Sequence, residues 1–389
     1  MKNLLIPLLV VFTLISCNQN LKLENNNPLN DSLIGDWEPL PFTPNDSSEF
    51  IIVPPVGISY GYSFSKDSID FFTGLFDFKR DTSPRGKTVK YLGNFKHYKL
   101  DKNKLFIKNS ENGKWQEFWT IKEIKNDTLF IVEEDGNSNK LKRIKHKDSF
   151  GDFDKIIYSS TGCYGTCPIL NVSLDRDGNV LFYGEAYVKS IGFYKGKVEQ
   201  KYTAFIFKKF EKANVKSLKS HYSEAITDSQ TITTTFLKEG KIIESIFDHA
   251  RQAPKELLWA YVPIANIFDS HKLLKVTEKE ELPKVKLLDF SLGEKKLQLL
   301  ESEGFYLWTE LWKSAKTETK FKETYNLSFE NYRQKNEANQ TIKITSDGRY
   351  FKFKSIEKTT TYDLGYNFIE KNFKKSDIKK VEEYKLPNS

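Results

Sequence analysis

A rhythm restricts the fold more than any other feature of the chain. Between Ile34 and about His146 the runs "YGYSFS", "TVKYLGNFKHYKL", "KLFIKN", "WQEFWTIKEI" and "TLFIVEE" alternate in part between apolar and polar residues, with Asn, Asp, Gly and Lys between them. Aromatic and β-branched residues dominate these runs, and an alternation of period two puts every second side chain on one face of a strand. Short strands in such succession predict an antiparallel barrel or sandwich over residues 33–148.

This region opens on "GDW", Gly35 to Trp37. The triplet resembles the glycine-x-tryptophan entry of lipocalin-like domains, and the resemblance implies that the Trp plugs one end of a barrel. Barrels of that size either fill with side chains or hold a small apolar ligand.

The second region, residues 150–275, reads differently. "KIIYSS" is a strand leading into "TGCYGTCP", and "ILNVSLDRDGNVLFYGE" is a hairpin whose Asp177–Gly178 pair suits a type I′ turn. "GFYKGKVEQ" continues the meander. Ile206, Phe210 and Ala213 share a helical face, and "TITTTFL" and "IIESIFD" form a second hairpin across "KEGK". Pro254 begins a helix with Leu257, Leu258, Tyr261, Ala265 and Phe268 on one side and Pro263 as an interruption. The predicted order is β-β-β-α-β-β-α, an α+β domain. On "TGCYGTCP", "DRDGNVLFYGE" and "TITTTF" the region is similar to a family of unknown function found in secreted and lipid-anchored bacterial proteins. The resemblance spans roughly 120 residues and implies an architecture without a known activity.

The N-terminus carries an address. Lys2 is followed by an apolar run from Leu4 to Leu14, then "LISC" with small Ser16 before Cys17. This resembles the lipobox of bacterial lipoproteins. The resemblance implies a signal peptide over residues 1–16 and lipidation at Cys17, with acyl chains holding the protein to a membrane. Residues 17–32, rich in Asn, would be a flexible tether. The expected location is the bacterial cell envelope at the outer membrane, facing either the periplasm or the outside. Residues 281–389 follow a charged stretch and contain "GFYLWTELW", "IKITSDGRYFKFKS" and "TTTYDLGYNF", which predict an α+β or β-rich third domain. The chain is thus read as multidomain.

Cys163 and Cys167 are the two cysteines outside the leader, and they admit three readings. In extended chain their Cα atoms would lie about 13 Å apart, whereas a disulfide needs roughly 4.4 to 6.8 Å, so a turn through Gly165 must bring them together. In an oxidising compartment the outcome is a structural disulfide, contributing about 2 kcal/mol for so short a loop. A thiol-redox or Cu(I) site is the second reading and a structural metal the third. The C-x-x-x-C-P run superficially resembles copper-delivery proteins of the thioredoxin-like class, but that resemblance requires a helix after the motif, where "ILNVSLDRDG" reads as strand and turn.

Other motifs lack their context. "GISYG" matches the nucleophile elbow at Ser59, yet strand-like sequence follows it. "RGKT", Arg85 to Thr88, ends like a phosphate-binding loop but has Asp81 where the first glycine belongs. Asp248 and His249 are adjacent on a strand and so point apart. Trp308 and Trp312 would share one helix face, as core or as a stacking platform for carbohydrate. Net charge is +8 without an arginine-rich cluster, which argues against nucleic acid. The sequence therefore predicts a lipid-anchored envelope protein with a non-catalytic binding or assembly role and no cofactor. Its partner would be a protein or a small apolar ligand, besides the membrane. The alternatives are an apolar-ligand or lipid carrier built on the β domain, and thiol or copper chemistry at Cys163 and Cys167.

Overall fold

The computed structural model describes residues 28–40, 60–79, 88–110, 112–146, 151–276, 282, 284–331 and 342–381. Eight strands, β1 (Gly35–Pro39), β2 (Tyr62–Phe64), β3 (Ser68–Lys79), β4 (Thr88–Asp101), β5 (Lys104–Lys108), β6 (Trp115–Lys125), β7 (Thr128–Glu133) and β8 (Ser138–Ile144), form a closed barrel in sequence order. The period-two pattern does the sorting: Leu105 and Ile107 of β5 and Leu129 and Ile131 of β7 are buried between more exposed neighbours. β1 closes the ring by pairing with β2 and β8, which sets Trp37 opposite Tyr62 and Arg143. Trp37, Phe64, Tyr98 and Trp119 belong to one buried cluster, so side chains occupy these interior positions.

Helix α1 (Pro28–Leu33) packs on the barrel core through Leu33. The Trp37 indole N–H donates to Leu33 O at 2.7 Å. The Arg143 guanidinium lies 4.1 Å from the Trp37 ring centre and donates to Ile34 O and Ser32 O. The Tyr98 hydroxyl donates to Asn30 Oδ1. Residues 28–32, which the sequence reading placed in the tether over 17–32, belong to this helix instead, and the rest of that segment lies outside the described residues.

The second sheet contains β9 (Lys155–Ser160), β10 (Ile169–Asp175), β11 (Asn179–Ala186), β12 (Gly192–Lys197), β13 (His221–Tyr222), β14 (Thr231–Lys238), β15 (Lys241–His249) and β16 (Leu274–Lys275), ordered β13-β15-β14-β9-β10-β11-β12-β16. Helices α2 (Gln200–Lys212), α3 (Lys255–Ala265) and the short α4 (Ile267–Ser270) accompany it. Two expectations need correction. The order β-β-β-α-β-β-α misses one of the four strands before α2, along with the two-residue edge strands β13 and β16. The hairpin at Gly178 is not a type I′ turn, since Gly178 alone in the loop has positive φ and its N–H bonds to Asp175 O. This is a three-residue loop closed by a left-handed glycine. A Cβ on Gly178 would stand 2.4 Å from Val198 O, which forbids any other residue without rearrangement. The second hairpin does take the two-residue form, with Glu239 and Gly240 both at positive φ.

The third sheet runs β19-β23-β22-β21-β20-β17-β18-β24. Its strands are β17 (Val285–Leu292), β18 (Lys295–Gln298), β19 (Ala315–Thr317), β20 (Tyr325–Asn331), β21 (Lys343–Ser346), β22 (Tyr350–Lys354), β23 (Thr359–Asp363) and β24 (Lys379–Lys380), with helices α5 (Glu301–Lys313) and α6 (Phe368–Asn372). The second and third sheets are wired alike. A meander precedes the helix, and the first long strand after it pairs antiparallel on the free edge of the first strand, β14 on β9 and β20 on β17.

Helix α5 lies between the two sheets and touches β17 on one side and β9, β10 and β14 on the other. That explains why β9 and β14 are buried along nearly their whole length instead of alternating. Ile156, Tyr158 and Phe236 pack toward α2 and α3, while Ile157, Tyr183 and Leu237 join the core of α5 and the third sheet. Close approach depends on Gly304, where a Cβ would lie 2.1 Å from Leu287 O. The alternating threonines of "TITTTF" serve this contact: Thr233 Oγ1 accepts from Ser302 N at 3.0 Å, and Thr235 Oγ1 is 2.8 Å from Ser302 Oγ. A donor at the helix N-terminus that would otherwise be orphaned is thus satisfied from the neighbouring sheet.

Candidate functional site

Where β9, β11, β17 and the N-terminus of α5 converge, a cleft of about 610 Å³ opens between the two sheets. One wall is the cysteine loop. β9 ends at Ser160, and the Gln230 side-chain amide donates to Thr161 O at 3.0 Å and Pro168 O at 2.9 Å, clamping the base of the loop. Cys163 and Cys167 are joined as a disulfide with Cα atoms 5.6 Å apart. Gly165, at φ +149°, takes a backbone angle that L side chains rarely adopt. Tyr164 N donates to Asp228 O at 2.9 Å, while its side chain is 89% exposed at the rim. β10 follows the motif directly as a strand.

The opposite walls carry charge. Glu185, near the end of β11, is buried, and its Oε2 lies 2.7 Å from Lys286 Nζ of β17. The same Nζ is 3.1 Å from Oε1 of Glu301, the first residue of α5. Burial works against the Lys286 ammonium, but Glu301 and Glu185 together raise its pKa above the ordinary lysine value. Burial also raises the Glu301 carboxyl, more than Lys286 lowers it. Position at a helix N-terminus favours the ionised form of Glu301 by about half a kilocalorie per mole, here not enough to offset its desolvation. Asp228, Glu330 and Asn331 complete the rim. The ammonium is committed to two carboxylates, which ties β11, β17 and the start of α5 together at the cleft wall.

The other candidates read from the sequence fall elsewhere. Cys17, Ser59, Asp81 and Arg85–Lys87 lie outside the described residues, and Thr88 begins β4. Asp248 is buried and accepts from Gln252 N at 2.7 Å and Ala253 N at 3.1 Å, so it organises the turn before α3. Burial raises its carboxyl despite those bonds. His249 binds Thr231 Oγ1 and Ile226 O, so Asp248 and His249 do not form a facing pair. Trp308 is 3% exposed and stacks on Phe193 at 4.5 Å, with Trp312 also stacked near it at 5.9 Å. The pair serves the core. Among the described residues no group of three or more His, Cys, Asp or Glu is set to hold a metal ion.

Sequence reasoning missed Glu185, Lys286 and Glu301, which sit far apart in the chain. One signal was available: Glu185 ends an otherwise apolar strand, "NVLFYGEA", where an inward carboxylate needs a partner. Residues 154–268 match the model of a family described as Domain of unknown function (DUF6438). No curated protein matches the chain. The matched span takes in the cysteine loop, both hairpins, α2 and α3, and so contributes one wall of the cleft while Lys286, Glu301 and Glu330 lie beyond it.

Proposed function

We infer that this is a lipid-anchored binding protein of the bacterial cell envelope, attached through Cys17 and without catalytic activity, whose ligand or protein partner enters the cleft beside the cysteine loop. The observation that carries the reading is the cleft itself. A stapled loop with an outward tyrosine faces charged groups already engaged with one another, a pre-organised surface whose groups are not poised for reaction. Among the described residues no helix is long and apolar enough to cross a membrane, which suits attachment by acyl chains. The apolar-carrier alternative draws little support from the barrel, whose described interior positions hold Trp37, Phe64 and Trp119.

Two experiments test the two halves of this reading. Metabolic labelling with a fatty acid should mark the wild type and not Cys17→Ser, which should also leave the membrane fraction; labelling that survives the substitution removes the anchor. A photo-crosslinking amino acid at Tyr164 should capture a discrete species in cells, whereas the same group at Ile356, also highly exposed, should not. An identical pattern from both positions sinks the cleft as the binding surface.

A further inference from the structure

Barrel carboxylates meet lysines of α2 and α3 where the barrel docks on the second sheet, and one of these pairs is closed off from water. Asp70 Oδ2 of β3 and Lys209 Nζ of α2 are 2.8 Å apart, with side chains 9% and 6% exposed. The Lys209 nitrogen sits 4.6 Å from the ring centre of Phe72 and 5.0 Å from that of Phe205. These rings belong to an aromatic belt across the boundary, Phe72 against Trp259 and Phe95 against Phe205. Asp70 Oδ1 is buried and has no hydrogen-bond partner among the described residues, so the carboxyl is held through its contact with the amine.

Two opposite charges so placed do not gain by staying charged. Burial pushes the Asp70 carboxyl up and the Lys209 ammonium down, in each case by more than the partner's charge opposes, and both groups lean toward a carboxylic acid and a free amine. Those are the reactive forms, an electrophilic carbon and a nucleophilic nitrogen. The other buried pairs lean the opposite way. Against the effect of burial, Glu301 and Glu185 hold Lys286 as an ammonium, and His146 and Lys212 hold Asp36 as a carboxylate.

We propose that Asp70 and Lys209 join in an intramolecular amide that ties the barrel to α2. The Lys209 nitrogen attacks the Asp70 carboxyl carbon, a C–N bond forms, the C–OH bond breaks, and the hydroxyl leaves with an amine proton as water. Nothing is oxidised or reduced. The carboxyl carbon lies one bond beyond Oδ2, close to the separation of about 3–3.5 Å from which such attack proceeds, and reactants fixed in this way reach effective concentrations of about 10⁵ M and above. In bulk water hydrolysis wins. A site that excludes water favours the amide, which also removes two charges from the interior. Asp36 lines the same cavity of about 190 Å³ as the pair, which sets a further acid–base group at hand to carry the proton. The ion pair is the state of the newly folded chain and the amide its product, so a barrel first docked by charges is afterwards held covalently. The bond involves neither the cleft beside the cysteine loop nor Cys17.

Peptide mapping of the folded full chain tests this. Trypsin should release residues 67–79 and 209–212 as one species, lighter by one water than the two peptides together, and fragmentation should place the link between Asp70 and Lys209. Lys209→Arg keeps a cation against Asp70 without an amine to form the amide, and its map should contain residues 67–79 unlinked. Any unlinked wild-type fraction left after purification should fall while the protein is kept folded and hold steady in guanidinium. Three results overturn the proposal: wild-type protein is cleaved after Lys209 and yields residues 67–79 alone, a linked species persists in Lys209→Arg, or the link accumulates equally in guanidinium. The wild-type map decides by itself if the variant fails to fold.

Discussion

The two boundaries inside this molecule are built on opposite principles. Where the barrel meets the second sheet, each of three barrel carboxylates faces a lysine from a helix: Asp36 with Lys212, Asp70 with Lys209 and Glu38 with Lys255. Where the second sheet meets the third, α5 is buried between them and side chains of both sheets form one apolar core. Ion pairs at a boundary set orientation and contribute little net stability, because desolvation consumes most of the Coulombic gain. A shared apolar core merges two sheets into one cooperative unit. The barrel is therefore a docked module, and the remaining two sheets fold together although the chain passes through them as two domains.

The largest effect should come from Trp308→Ala. Trp308 stacks with Phe193 of the second sheet and with Trp312 of its own helix, and truncating it should cost about 4 kcal/mol. Hydrogen exchange should then show protection falling in both sheets together while the barrel strands keep theirs. Loss confined to β17–β23 would break the comparison, since the third sheet would then be a separate unit.

Next comes Lys209→Met, which leaves Asp70 buried without its cation and should cost about 3 kcal/mol, felt at the barrel boundary. The double variant Lys209→Met/Asp70→Leu removes both charges and should recover most of that loss. If the double variant is no better than the single, the pair acts through packing and the reading of this boundary as ionic is wrong.

Acid should separate the two boundaries further, and two carboxyls there respond with opposite signs. For Asp36, burial raises the pKa, but the bonds from His146 and Lys212 outweigh it and hold the carboxyl well below the usual range. Its stabilisation is present above the unfolded value of about 3.9 and is lost as pH falls through the folded one. For Asp70, burial outweighs Lys209 and raises the pKa, so its ionised form costs stability that returns as pH falls through the raised value. Melting curves should show the barrel gaining slightly on mild acidification and weakening below about pH 4. Asp36→Asn should flatten the second change and Asp70→Asn the first. A barrel response unchanged in both variants would assign the pH dependence to other groups.

How much of this was legible follows from the range of each interaction. The barrel could be read because Leu105, Ile107, Leu129 and Ile131 report their own burial through local alternation. The cysteine loop could be read because its parts lie within eight residues of chain. Strand β12 was legible as the run "GFYKGKVEQ", although the order β-β-β-α-β-β-α counts three strands before α2, whereas the two-residue edge strands β13 and β16 carry too little pattern to be read at all. The cleft was illegible for a different reason: Glu185, Lys286 and Glu301 acquire meaning only when α5 is inserted, and no local pattern announces which charges will meet. The threonines lay in between, since their β-propensity was plain and their helix-capping role was not.

That last case supplies the smallest and sharpest prediction. Thr233→Val keeps the shape and the β-branch of the strand residue but removes the oxygen that accepts from Ser302 N. The cost should be about 1–2 kcal/mol, the value of a buried donor left without its cap. Thr231→Val alters the same strand without touching α5, since Thr231 Oγ1 bonds to His249. If the two sheets form one unit, Thr233→Val should speed exchange at the α5 amides and in β17 as well as in β14, whereas Thr231→Val should act near β14 and β15 alone. Equal, local effects from both substitutions would mean that the second sheet carries α5 as a passenger and that the shared core, for all its apolar area, does not couple the two.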